Sequence, residues 1–243
     1  MARPKESGVY KFLHSRHLDG ILREGTLKLG SLSHYRGLES KKQWIADELE
    51  GRVRLDAGGM VVTESDNKLD PMLPPSLAGR HVHVESGGQV IYAPGATITV
   101  QHPEVYIFSA CKGELRELID AMCRDAMEPY DACISIQDVR HLAHRLLYRG
   151  RVPELGNVRM SDLFKTFDCS DVAYDVLSRR PEMGRAPEAT PFLKDVRFAD
   201  QHEVRIVFWP RESIDRSTFL VRIPRPDQLF EEVFRRNPIV ARL

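Results

Sequence analysis

A carboxamide and a carboxylate stand two residues apart in Gln201-His202-Glu203, at the head of the apolar run Val204-Arg205-Ile206-Val207-Phe208-Trp209. If a strand begins at Gln201, alternation puts both side chains on one face, roughly 7 Å apart. Held on a rigid strand, the two groups can divide labour: one positions an acceptor, and the other stabilises positive charge developing on a sugar. Glu203 and Arg205 are also related by i and i+2, so a same-face ion pair on an exposed strand is the competing reading.

Other reactive side chains group less tightly. Asp47-Glu48-Leu49-Glu50 reads as a solvated helix face or as two carboxylates serving a polar pocket. His81-x-His83 and His141-x-x-His144 each place two imidazoles on one face, but neither has a third ligand at motif spacing, and no metal is expected. Gly58-Gly59 and Gly87-Gly88 suit hairpin turns. GxGxxG, Walker A and GxSxG patterns are all missing, which argues against a dinucleotide fold of the usual kind, a P-loop enzyme or an α/β-hydrolase.

The elements that must position these groups follow from pattern. Gly8–Leu13 reads as a strand. Ser15 then caps a helix through Leu22, with Leu18, Ile21 and Leu22 on its apolar face and a stop at Gly25. Thr26–Leu29 alternates as a second strand, and Ser31–Glu39 leaves it as a polar loop. A helix or turn is expected at Gln43–Glu50. The middle, Arg52–Gln101, is β-rich, with segments at 53–55, 60–62, 81–84, 90–92 and 97–100 around a long loop over 63–79. Strands at 105–109 and 132–136 alternate with helices at 114–124 and 139–148, the latter capped by Asp138. Phe192–Arg197 and the stretch from Gln201 are further strands, with Thr218–Ile223 pairing to the Gln201 strand and a C-terminal helix over Pro226–Arg235. Regular βαβα alternation is absent, so the expected class is α+β with a mixed, mainly antiparallel core and flanking helices. The expected organisation is one domain over 1–243 with a β-rich insertion or extension at about 52–101.

Lys+Arg 35 against Asp+Glu 35 leaves no net charge, which argues against a general nucleic-acid or membrane-surface binder while allowing a local basic cleft. Cys111, Cys123, Cys133 and Cys169 form no CxxC pair and read as reduced thiols. With no apolar leader at the N-terminus and no run of roughly 18 apolar residues, a cytoplasmic protein with no membrane partner is expected.

Val9-Tyr10-Lys11-Phe12-Leu13, followed by His17-Leu18-x-x-Ile21-Leu22-x-x-Gly25-x-Leu27-Lys28, resembles the opening of the ADP-ribosyltransferase fold. In that family an aromatic strand precedes a helix ending in Ile-Leu-x-x-Gly, and a second strand follows. The first strand carries a His or Arg that helps hold NAD, and the second carries Ser-x-Ser or a Tyr near the nicotinamide. A late strand carries the catalytic Glu, often with Gln or Glu two residues before it. Here Lys11 stands at the first position, a departure from the family. Ser31-Leu32-Ser33 and Tyr35 follow the second strand, and Gln201-His202-Glu203 comes late. Tyr35-Arg36 and Glu203-Val204-Arg205 also resemble a large family of uncharacterised bacterial domains, some of them found in phage-defence settings.

The resemblance implies a split β-sheet, NAD as a substrate and no metal. It implies Glu203 and Gln201 as catalytic residues, with Lys11, Ser31, Ser33, Tyr35 and Arg36 binding the dinucleotide. The implied activity is mono-ADP-ribosylation of a protein or nucleic-acid acceptor, as a toxin or phage-defence effector with an inhibitory, antitoxin-like partner. The chemistry suits these residue types, since breaking the nicotinamide–ribose bond develops an oxocarbenium-like sugar that a carboxylate can stabilise. Two rivals stand beside it. One is a non-catalytic module recognising a nucleotide, nucleic acid or protein on the same fold. The other is a metal-dependent hydrolase built from Asp47, Glu50 and Glu203.

Overall fold

The computed structural model describes residues 8–38, 47–59, 61–63, 89–123, 130–179 and 189–236. The chain opens as expected with β1 (Gly8–Leu13), α1 (Leu18–Leu22) and β2 (Thr26–Ser31). Leu18 and Ile21 are buried under α1. Gly25 ends the turn at φ +68, where a Cβ would come within 2.1 Å of the Ile223 carbonyl oxygen, so a side chain has no room. Ser15 does not cap this helix. Its N–H and its hydroxyl both donate to the Asp131 carboxylate, at 2.6 and 2.7 Å, and a 3-10 turn over Ser15–His17 leads into α1.

The polar loop expected after β2 is a helix, α2 (Leu32–Gly37). Ser31 Oγ accepts the His34 N–H at 3.1 Å, an N-cap that stabilises the first turn, and Leu32 is fully buried beneath it. Of the element expected at Gln43–Glu50, residues 43–46 lie outside the described residues; the remainder is a turn in which Glu50 N–H donates to the Asp47 carbonyl at 3.0 Å. Next come β3 (Arg52–Asp56), β4 (Val61–Thr63), β5 (Gln89–Ile91) and β6 (Thr97–Gln101). Met60, the 81–84 segment with His81 and His83, Gly87-Gly88 and nearly all of the 63–79 loop lie outside the described residues.

The next elements are β7 (Tyr106–Gly113), α3 (Leu115–Met122), β8 (Ala132–Ile136) and α4 (Val139–Arg149), the last capped by Asp138 as expected. They are followed by β9 (Arg151–Val152), β10 (Val158–Arg159), α5 (Met160–Leu163) and β11 (Phe164–Asp171). Three short strands come next, β12 (Ala173–Asp175), β13 (Ser178–Arg179) and β14 (Leu193–Asp195). A 3-10 segment over Val196–Gln201 then leads to β15 (Glu203–Pro210), β16 (Thr218–Arg222) and β17 (Phe230–Arg235).

The result is mixed α+β, dominated by one mostly antiparallel sheet in the order β10-β9-β16-β2-β7-β1-β8-β17, with β15 on β7 and β11 on β15. Parallel pairing among the described strands is confined to β12–β14 and β13–β3. β7 is the branch point. β15 pairs with it from Tyr106 to Cys111, β2 meets it at Tyr106 and Ile107, and β1 meets it from Cys111 to Gly113. Since β15 fills one edge of β7 over that whole span, β1 and β2 must share the other and diverge. The sheet is split beside Phe108–Ala110.

One expected pairing and one expected helix fail for clear reasons. β16 does not pair with β15, whose edges are taken by β7 and β11; it lies between β2 and β9 instead. The C-terminal helix expected at Pro226–Arg235 is a 3-10 turn (Pro226–Gln228) followed by β17, paired to β8 with a bulge between Glu232 and Phe234. The bulge sends Phe230 into the main core and Phe234 into a second cluster with Tyr10 and Cys133, so the spacing of apolar residues mimics a helix.

Strand alternation gives the sheet two unlike faces. Tyr106, Phe108, Ala110, Val204, Ile206 and Phe208 pack with Leu142, Ala143, Leu146 and Leu147 of α4 in the main core. On the opposite face of the same strands, Ile107, Ser109 and Cys111 lie in register with Val207, Arg205 and Glu203. No helix among the described residues is long and apolar enough to cross a membrane.

Candidate functional site

The split in the sheet opens a concavity, part of it open to solvent, whose walls include Lys11, Tyr35, Gln201 and Glu203. Lys11 reaches in from β1, where its Nζ donates to the Ser109 carbonyl at 2.6 Å and sits 5.1 Å above the Phe108 ring centroid. Strand divergence leaves that carbonyl facing the gap, so the ammonium satisfies it. Burial lowers the Lys11 pKa, with Cys111 and Glu203 pulling back toward the charged form.

Tyr35 enters from α2. A Cβ on Gly30 would meet the rings of Tyr35 and His34 at 2.9 and 3.0 Å, so the bare backbone of β2 is what lets α2 fold down onto the sheet. The Tyr35 hydroxyl points at the Ile107 carbonyl, 3.5 Å away, and burial raises its pKa so that it stays a phenol. Ser31, Ser33 and Arg36 do not line the concavity. Ser31 Oγ caps α2 and meets Ser33 Oγ at 2.8 Å, Ser33 N–H donates to Glu104 at 2.7 Å, and Arg36 donates to the Glu50 carbonyl at 2.8 Å.

Gln201 and Glu203 meet at the site by a different route from strand alternation. Gln201 ends the 3-10 segment and Glu203 is the first residue of β15, with His202 between them in the left-handed region at φ +44. That conformation disfavours most side chains, though His tolerates it better than β-branched types. The kink aims both groups at one pocket, although only Glu203 belongs to the strand. Glu203 N–H donates to the Tyr174 hydroxyl at 2.7 Å, which pins the strand head.

Around Glu203 lies a buried charge network. Arg205 donates to Glu203 Oε2 through Nη2 at 2.6 Å and Nε at 3.2 Å, to Glu50 Oε1 at 2.6 Å, and to the Pro191 carbonyl. Lys194 from β14 donates to Gln201 Oε1 at 2.8 Å and approaches Glu203 Oε2 at 3.4 Å. All the bonds to the Glu203 carboxylate from described residues land on Oε2, so Oε1 is the oxygen they leave for a ligand. Burial would push the Glu203 carboxyl up, but Arg205, Lys194 and Lys11 together outweigh it and hold it at about 2. Glu50 has the same arginine but goes the other way, because its burial exceeds the attraction of Arg205 and Lys194. Burial disfavours the charged form of Arg205, yet its two carboxylates raise its pKa.

Asp47 supports the network without entering the pocket. Its Oδ1 accepts the Leu49 N–H at 2.9 Å and its Oδ2 the Asp195 N–H at 3.2 Å, tying the turn that bears Glu50 to the strand that bears Lys194. Among the described residues no group of three or more His, Cys, Asp or Glu side chains is arranged to hold a metal ion. His141 and His144 are exposed on α4, with the His144 ring stacked on Tyr148 at 5.8 Å. The four cysteines are free, and burial pushes the Cys111 thiol up to about 12, so it is protonated near neutral pH.

Lys194 is the site residue that sequence reasoning missed. It lies in a stretch read only as a strand, and no spacing links it to Glu203. Glu50 and Arg205 were visible as parts of an acidic run and an i, i+2 ion pair. The Arg205–Glu203 pair exists, but it is buried, with side chains 2% and 10% exposed, where an exposed pair was expected.

No family model, no curated protein and no solved structure matches this chain.

Proposed function

We propose that the protein is an NAD-dependent mono-ADP-ribosyltransferase on an ADP-ribosyltransferase-like split sheet. The reading rests on one observation above the others. The pocket in the split brings Glu203, with its carboxylate held ionised and anchored through one oxygen, together with Lys11, Tyr35 and Gln201. In the reaction, the bond between the nicotinamide nitrogen and the ribose C1′ breaks and its electron pair leaves with neutral nicotinamide. Glu203 Oε1 accepts a hydrogen bond from a ribose hydroxyl and stabilises the cationic sugar, an interaction strongest in the transition state. The acceptor's lone pair then closes on C1′, and its proton passes to solvent.

Tyr35 offers its ring to the nicotinamide. Lys11 supplies positive charge for the ribose or phosphates, replacing the His or Arg of the resembled family. Lys194 fixes the carbonyl end of the Gln201 amide, so the acceptor meets an amide of set orientation. In this reading Ser31, Ser33 and Arg36 act indirectly, by holding α2 and the Glu50 turn in place. A toxin or phage-defence role, with a protein or nucleic-acid acceptor and an inhibitory partner, is part of the same proposal.

Incubating the folded protein with labelled NAD and cell lysate tests it. Nicotinamide release and label transfer are expected, both lost in Glu203→Gln while the far-UV circular dichroism is retained. Folded wild-type protein that releases no nicotinamide would sink the reading. A non-catalytic binding module is the second reading, favoured by the engagement of Gln201 Oε1 and Glu203 Oε2 within the protein itself. Calorimetry showing tight nucleotide binding with no turnover would select it.

A further inference from the structure

On the face of the sheet that bears the pocket, the outer strands carry a row of cations. The register places Arg159 of β10 opposite Arg151 of β9, and Arg151 opposite Arg222 of β16. One strand further in, Lys28 of β2 pairs with Leu220, two residues before Arg222. The partners of Lys28's neighbours settle the face. Leu27 and Leu29 point into the main core, whereas Gly30, on the same side as Lys28, pairs with Ile107 of the pocket face. Phe219, Val221 and Val152 likewise point to the core, so Arg222 and Arg151 point away from it.

Directly opposite like charges destabilise a sheet, and some exposed cations elsewhere in this protein are paired, as in Arg235–Glu232 and Lys112–Asp171. Arg222 has one exposed partner, Glu24, at 3.4 Å. Among the described residues Lys28, Arg151 and Arg159 make no ion pair; Arg151 donates to the Asn157 carbonyl at 3.1 Å and Lys28 meets His34 Nε2 at 3.4 Å. All four cations are exposed, and Leu220 between them is 40% exposed, so beyond α2 this part of the face is open among the described residues. Adjacent strands are about 4.8 Å apart, so the row spans roughly 14 Å across β2, β16, β9 and β10. Its inner end, Lys28, meets His34, the residue next in the chain to Tyr35 of the pocket wall.

We propose that this row docks the phosphate backbone of a nucleic acid and leads it to the pocket, which makes nucleic acid the acceptor class of the transfer reaction. The inference rests on the transferase reading for the word acceptor, but the docking surface stands on the strand register alone. A line of guanidinium forks at strand spacing suits a chain of repeating phosphates, each able to take a bidentate contact. On a protein with no net charge, such a row is a local feature and not the by-product of a basic composition.

Fluorescence anisotropy with a labelled 20-nucleotide single strand, without NAD, tests the surface. Binding should weaken with salt, and Arg151→Glu/Arg159→Glu should lose at least tenfold in affinity, with a salt slope shallower by roughly 1.4 for two lost phosphate contacts. Arg151→Ala/Arg159→Ala should show the same direction with a smaller loss, and thermal unfolding confirms that both variants fold. Absence of wild-type binding, an unchanged affinity in the folded double variants, or equal competition by polyglutamate would overturn the proposal; the last would point to an acidic protein partner. Nicotinamide release is measured on the wild type without oligonucleotide, so docking and transfer can each fail alone.

Discussion

β15 presents two faces that solve opposite problems. Val204, Ile206 and Phe208 go into an apolar core with α4, where alternation and volume are enough. Glu203 and Arg205, one residue out of phase, go to a buried network with Glu50 and Lys194. Apolar burial stabilises in proportion to area and needs no partner of a particular kind. Burying charge costs several kcal/mol per ion, roughly offset only when every partner is in place. The apolar face therefore contributes the stability, and the polar face draws on it to hold a carboxylate ionised beside a pocket.

The comparison breaks most sharply at its two largest residues. Phe208→Ala should cost about 3–5 kcal/mol in urea unfolding, through lost burial and a cavity in the core. Arg205→Ala should cost a similar amount, about 3–5 kcal/mol, because it removes the guanidinium that bonds both Glu50 and Glu203 and leaves Lys194 as their remaining close cation. The two faces should then part company on repair. Replacing the charges together, as Glu50→Met/Glu203→Leu/Arg205→Met/Lys194→Met, should recover most of the loss, whereas no polar substitution rescues Phe208→Ala. If the quadruple variant is as unstable as Arg205→Ala, the polar face is itself a source of stability and the contrast fails.

Acid titration gives a smaller effect with a defined sign. The Glu203 carboxyl sits at about 2 in the folded protein against 4.5 ordinarily. In that interval the unfolded chain binds the proton more tightly, so stability is full above about 4.5 and falls as the pH drops toward 2. Glu50, raised by burial, acts in the other window: its proton binds more tightly in the folded state, so its contribution grows as the pH falls to about 4.5 and levels off below it. Urea midpoints should therefore fall between pH 4.5 and 2, and a flat profile there would show that Glu203 is not held by its cations.

The smallest expected change lies on the exposed part of the same sheet face. Arg151→Thr removes the centre of the like-charge row and should shift stability by no more than about 0.5 kcal/mol, toward stabilisation. A clear loss in thermal unfolding would mean that the arginine is structurally paired and would remove the contrast between a neutralised inner network and an open outer row.

Much of this was legible in the sequence, and the limits are physical. The first strand–helix–strand, the Asp138 cap and the strand after Glu203 all rest on signals within a few residues, and each formed. Ser31 serves a turn and a helix N-cap equally well, so local pattern does not separate the expected loop at Ser31–Glu39 from α2. The C-terminal strand carries a helix-like pattern because a bulge spaces Phe230, Val233 and Phe234 like a helix face.

By itself, the sequence determined that a carboxylate stands at the head of an apolar strand, with an aromatic residue and a lysine early in the chain to meet it. Only the tertiary structure decided which charges join it. Glu50 reaches Arg205 across 155 residues, and Lys194 arrives on a strand that no local pattern links to the pocket. Strand register makes that choice. A slip of one residue would send Glu203 and Arg205 into the α4 core, and register is set by every strand in the sheet at once.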